Sequence, residues 1–264
     1  MTTYEPLTIG GIFDRAVTLV VPRWKLLLPW AVALGVVNVV SELISAAGAN
    51  VWAFGVAEPI ALAGAVLAFN PTVAIVADFG GAYDVGSLLR LSLRRFWSAL
   101  GLTLIYYLAV IAAVFVSFIP SSILRYHEAG LATAAFILGI GLAIAAVSFL
   151  TGYACIGYAN VVLESLTPLA AIRAVKQRGK TTGSWRVLIL GAALCALTLL
   201  PTFGVGAIPH QPPFLLLCKL ALMFALLTPV YMYATAVETV AAIDYRNRST
   251  GADLAHALNG RAPK

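Results

Sequence analysis

A chain of 264 residues with 61% hydrophobic and only 11% charged side chains lacks the polar surface of a water-soluble domain, in which roughly a quarter of the residues are charged. Its net charge of +6, from 17 Lys and Arg against 11 Asp and Glu, points in so apolar a chain to anionic lipid headgroups rather than to nucleic acid, and no basic surface interleaved with aromatic residues argues otherwise. The three cysteines, Cys155, Cys195 and Cys218, lie in apolar runs without C-x-x-C spacing, which suggests neither a disulfide framework nor a zinc site, and they read as small core residues.

The first 25 residues carry no short apolar stretch followed by a small-residue cleavage site, so the N-terminus is expected to stay attached. Behind a Thr8 cap, Ile9, Ile12, Phe13, Ala16, Val17 and Val20 form one apolar helical face, and Trp24 follows. Six runs can then cross ~30 Å of hydrocarbon at about 1.5 Å per residue. They are Leu26 to Ala47, Pro59 to Val76, Leu100 to Ile119, Leu131 to Leu163, Val187 to Val205 and Phe214 to Ile243. The fourth, at 33 residues, cannot hold two crossings of about 17 residues with a turn between them, so it is expected to be one long helix, bent near Gly152 or Gly157. Along it, Ala135, Gly139 and Ala143 make a small-residue face suited to close packing. The sixth carries Pro229, which predicts a kink.

Of the 17 Lys and Arg, only Arg125 and Lys219 fall on one side of these six crossings. Positive residues are retained inside, so both termini and the two long connections are expected to be cytoplasmic, in a plasma membrane. Two further cytoplasmic segments resemble the first. Val85, Leu88, Leu89, Leu93 and Phe96 follow Asp84 and precede Trp97, and Leu169, Ile172 and Val175 follow Thr167 and Pro168 and precede Trp185. The expected fold is therefore all-α, one membrane domain over residues 1–264, with six transmembrane helices and three short interfacial helices. The order of elements suggests a unit used three times, at 7–78, 84–164 and 167–244, with a tail at 245–264. Basic, Trp-bearing helix ends are common among helical membrane proteins, and that account fits the pattern as well.

Three acids, Asp78, Glu164 and Asp244, end the even spans, where they are expected to meet arginines of the basic collar, namely Arg15, Arg94 and Arg173. Asp14, Arg246 and Arg248 belong to the same polar set. Ionisable groups within spans are functional candidates by default. Glu42 and Lys219 lie at ~7 Å depth from the same surface, where they either pair or reach the outer headgroups separately. Glu238 shares a helix with Tyr231, Tyr233 and Thr235, at a depth comparable to Asn160 and Glu164. It either lines a polar pocket or pairs with Arg15, Arg173 or Arg246.

Nothing in the chain marks an enzyme or a cofactor site. His127 and His210 fall in outer turns and His256 in the tail, so the three histidines cannot share a site, and G-x-S-x-G, H-E-x-x-H and phosphate-loop motifs are absent.

Leu7-Thr8-Ile9-Gly10 with Asp14-Arg15, Val161-Val162-Leu163-Glu164-Ser165 leading to Ala171-Ile172-Arg173, and Asp244-Tyr245-Arg246-Asn247-Arg248 with Gly251 and Asp253-Leu254 fall in order. Together they resemble the six-helix bacterial and archaeal family called the glycerophosphoryl diester phosphodiesterase membrane domain and its relatives. The resemblance implies a fold and a membrane location, without the separate catalytic domain that gives the family its name. The expected role is a non-catalytic scaffold or accessory subunit whose basic collar contacts anionic lipid or a protein partner. The alternative is a small transporter or the membrane subunit of one.

Overall fold

The computed structural model describes residues 7–47, 51–77, 84–124, 129–209 and 213–251, and among these every regular element is helical. In chain order they are α1 (Ile9–Val20), a 3-10 turn (Val21–Arg23), α2 (Trp24–Ala47), α3 (Val51–Val76), α4 (Val85–Leu124), α5 (Ala129–Glu164), α6 (Pro168–Thr182), α7 (Ser184–Gly206) and α8 (Pro213–Leu222). A π-turn (Met223–Leu227) then leads into α9 (Thr228–Ser249). Among the described residues, six stretches are long and apolar enough to cross a membrane. The run at 131–163 is one helix, α5, as its length requires.

The three segments ahead of the odd spans take three different forms. Pro22 converts the α1–α2 junction into a 3-10 turn, and Gly183, at φ +95°, separates α6 from α7. Between Arg94 and Ala99 no residue breaks a helix, so the expected second interfacial helix is continuous with the span it precedes, and α4 runs for 40 residues. The Thr8 cap forms, its hydroxyl accepting from the Gly11 N–H at 3.0 Å. Thr167 is extended but makes no side-chain cap, and Pro168 starts α6 in its place.

Two even spans accommodate proline differently. Pro71 leaves the Leu67 carbonyl without its helical donor, and the buried Ser92 hydroxyl of α4 fills that vacancy at 2.9 Å. Asn70 beside it donates to the Ser92 carbonyl at 3.2 Å and accepts from Tyr158 of α5 at 2.8 Å. Before Pro229 the chain widens into the π-turn, with the Thr228 N–H reaching back to the Met223 carbonyl. The predicted kink is thus a local change of helix type.

Packing is concentrated at the basic end. There Ile12 and Ala16 of α1, Val73 and Val76 of α3, Ile156 to Val162 of α5, Ala171 and Val175 of α6, and Val187, Leu190 and Leu194 of α7 surround α9, whose segment from Ala234 to Val237 is buried. Glycines set the closest crossings. A Cβ on Gly152 would fall on the Val187 carbonyl, and one on Gly139 would lie 2.6 Å from the Ser117 carbonyl oxygen. Gly152, expected as a bend, is therefore the point where α5 and α7 cross. Away from the core, Phe115, Leu200 and Phe203 are each 70% exposed or more, a surface that suits lipid and would be a liability in water.

Candidate functional site

Three polar constellations stand out from this apolar frame. The first is a latch at the basic end. Asp244, its side chain 0% exposed, accepts from the Leu7 N–H at 3.1 Å and from Arg248 Nε at 2.8 Å, with Arg186 at 3.9 Å. Both guanidinium groups also donate to the Leu7 carbonyl, Arg186 at 2.6 Å and Arg248 at 2.8 Å. The residue that leads into α1 is thereby held by α7 and α9. Beside it, Arg178 of α6 bridges Asn160 (2.9 Å) and Glu164 (2.8 Å), and Arg246 lies 4.0 Å from Glu164.

These partners differ from the expected ones. Glu164 and Asp244 meet Arg178, Arg186, Arg246 and Arg248 rather than Arg15, Arg94 and Arg173. The reason is helical phase: Ala171, Val175 and Arg178 follow the i, i+4, i+7 spacing of one face. The buried Ala171 and Val175 therefore carry Arg178 onto α5, while Arg173 is turned outward and exposed. Asp14, Arg15 and Arg94 are exposed as well. Asp78 lies outside the described residues, as do Asp253 and Leu254.

The second constellation is at the opposite end, where Lys219 Nζ lies 2.6 Å from Glu42 Oε1, joining α8 to α2. Their side chains are 7% and 17% exposed, so neither charge is well hydrated. Lys219→Met should lower stability by about 3 kcal/mol by leaving Glu42 with a lost partner. The exchange Glu42→Lys with Lys219→Glu should recover most of it. Thermal midpoints in mild detergent measure both, and a single variant as stable as the unaltered protein would mean the pair contributes nothing.

The third constellation lies inside the bundle. Among the described residues Glu238 pairs with no arginine; its Oε1 accepts from the Cys155 thiol at 3.1 Å. Six residues separate it from Asp244, a rotation of about 240°, which points it away from the latch. It lines a cavity of about 230 Å³ with Tyr106, Tyr107, Tyr158, Tyr231 and Thr235. Tyr233, expected there, instead donates to the Phe13 carbonyl at 3.1 Å, and Asn160 and Glu164 belong to the collar. A second cavity of about 670 Å³ adjoins, sharing Tyr107 and Tyr231 as wall and adding Asn38 and Glu58. The contributions of Thr151, Cys155 and Tyr158 were readable as polar residues at i, i+4 and i+7 on one face of α5. Which helix that face meets was not.

Six helices able to cross a membrane, packed around a mostly apolar core, define the class: their number and length are compatible with a multi-pass membrane protein. No family model, no curated protein and no solved structure matches the chain.

Proposed function

We propose that this chain is a non-catalytic multi-pass protein of the plasma membrane, both ends cytoplasmic, serving as a scaffold or accessory subunit. Its basic collar rests on anionic headgroups and is available to a protein partner. One observation carries the reading. Arg15, Lys25, Arg90, Arg94, Arg173 and Lys176 are all exposed, and none has an acid partner among the described residues, whereas Glu164 and Asp244 are engaged within the fold. Trp24, Trp97 and Trp185 are exposed at the same end, as residues at a headgroup boundary are. Anionic lipid contributes about 1 kcal/mol for each such cation near the surface.

The test is lipid retention. Purified in mild detergent with equal phosphatidylglycerol and phosphatidylcholine, the protein should carry the anionic lipid preferentially. Replacing Arg90, Arg94, Arg173 and Lys176 together by Gln should reduce that preference by about tenfold or more. An unchanged preference would remove the collar from this role.

A second reading, a small carrier, is favoured by a separate observation. The α9 span, broken by the π-turn ahead of Pro229, supplies Tyr231, Thr235 and Glu238 itself to the wall of the Glu238 cavity, and transporters place their sites beside discontinuous helices.

A further inference from the structure

We infer that the Glu238 cavity is a binding site for a small organic cation bearing N–H donors, a protonated primary amine on an apolar body. The inference concerns the cavity alone and does not depend on the collar.

Nearly every proton on the cavity wall is already committed. Thr103, Thr151, Thr198 and Thr235 line the cavity, and each donates its hydroxyl proton to the carbonyl four residues earlier, at 2.8–2.9 Å. Because the Thr151 proton is committed to Val147, the Tyr106 hydroxyl, 2.8 Å from Thr151 Oγ1, must be the donor in that contact. By the same logic Thr202 donates to the Thr198 carbonyl, so Tyr231 donates to Thr202 at 2.7 Å. Tyr158 donates to Asn70 and Cys155 to Glu238. Except at Tyr107, the hydroxyl and thiol protons of the lining residues are already engaged by protein acceptors. Lone pairs and the Glu238 carboxyl remain. Among the described residues, no Lys, Arg or His lines either cavity.

Such a wall accepts hydrogen bonds and offers almost none. An anion would meet acceptors facing acceptors in a poorly solvating medium, and a neutral carbonyl compound would find too few donors. A cation with N–H donors meets both needs, and a charge-assisted bond to a carboxylate is among the stronger contacts available. The rest of the lining is apolar, with Leu62, Val66, Phe69 and Leu102, which suits a hydrocarbon body. The tyrosine rings add the surface on which ammonium groups rest. Glu58, exposed and lining the outer cavity, places a second acid on the approach.

The test uses the full chain in phosphatidylcholine nanodiscs at neutral pH, with empty nanodiscs subtracted. Titration with 2-phenylethylamine should show saturable binding. 2-Phenylethanol, of the same shape without charge, should bind at least about tenfold more weakly, and 3-phenylpropanoate should not bind. Glu238→Gln should weaken the amine at least about tenfold and leave the alcohol unchanged. Ala65→Phe, which fills the wall shared by both cavities, should abolish amine binding with Glu238 intact. The inference is overturned if the propanoate binds as well as the amine, if amine and alcohol bind alike, or if amine binding survives either substitution. Should Glu238→Gln fail to fold, the ligand series on the unaltered protein and Ala65→Phe decide the matter. Lipid retention by the collar should be the same throughout, which keeps failure of this site distinct from failure of the scaffold reading.

Discussion

Asp244→Ala is expected to release the N-terminal helix and to cost about 3–5 kcal/mol, the range for removing one member of a buried charge cluster. Its carboxylate faces two guanidinium groups and the Leu7 N–H with no water-facing surface of its own. Without it, Arg186 and Arg248 are left close together, sharing the Leu7 carbonyl as acceptor. Asp244→Asn should be intermediate: a side-chain oxygen can still accept from Leu7, but the charge that balances the two arginines is gone. Hydrogen exchange in detergent reads the effect locally. Protection should fall over α1 and the start of α7, while α4 and the outer half of α5, which do not depend on the latch, keep theirs. Unchanged exchange over α1 would show that its apolar packing through Ile12 and Ala16 holds it without the acid.

The second large effect is expected at Gly191. A Cβ there would fall on the Ser148 carbonyl oxygen and stand 2.7 Å from the Gly152 nitrogen. Both neighbours are backbone, so no side-chain rotation relieves the collision and α5 and α7 must move apart. Gly191→Ala should cost at least about 1–3 kcal/mol, the usual penalty for overpacking, and Gly191→Leu should prevent assembly. Gly141→Ala is the control. It lies on the same pair of helical hairpins but has nothing within 4 Å of the added carbon, and alanine is the better helix former by roughly 1 kcal/mol. Comparable loss in thermal midpoint for Gly191→Ala and Gly141→Ala would refute the close crossing.

Local signals were enough for some features. The single long α5 followed from counting residues against bilayer thickness, and the cap at Thr8 is a property of a few neighbouring residues. The π-turn before Pro229 was legible as a kink, though its form was not. Other readings failed for want of context. The second interfacial helix was expected from a pattern of apolar residues that continues unbroken into the span, and the pattern cannot say where a helix ceases to lie on a surface. The signs of α9's central position were present in Thr228, Tyr231, Thr235, Glu238 and Thr239, because the least apolar span of a membrane bundle is the one kept from lipid.

By itself, then, the sequence determined that six helices can cross a membrane, where most of them start and stop, and that basic residues gather at one end. Apolar length, caps and breakers act within a few residues of one another, so they survive being read one segment at a time. Only the tertiary structure decided that Arg178 rather than Arg173 meets Glu164, that Leu7 is held between α7 and α9, and that Glu238 turns toward Cys155 and a cavity instead of an arginine. Those outcomes depend on the rotation of each helix about its own axis. A step of one residue turns a side chain by about 100°, and that phase is fixed by which small residues, such as Gly152 and Gly191, let two backbones touch.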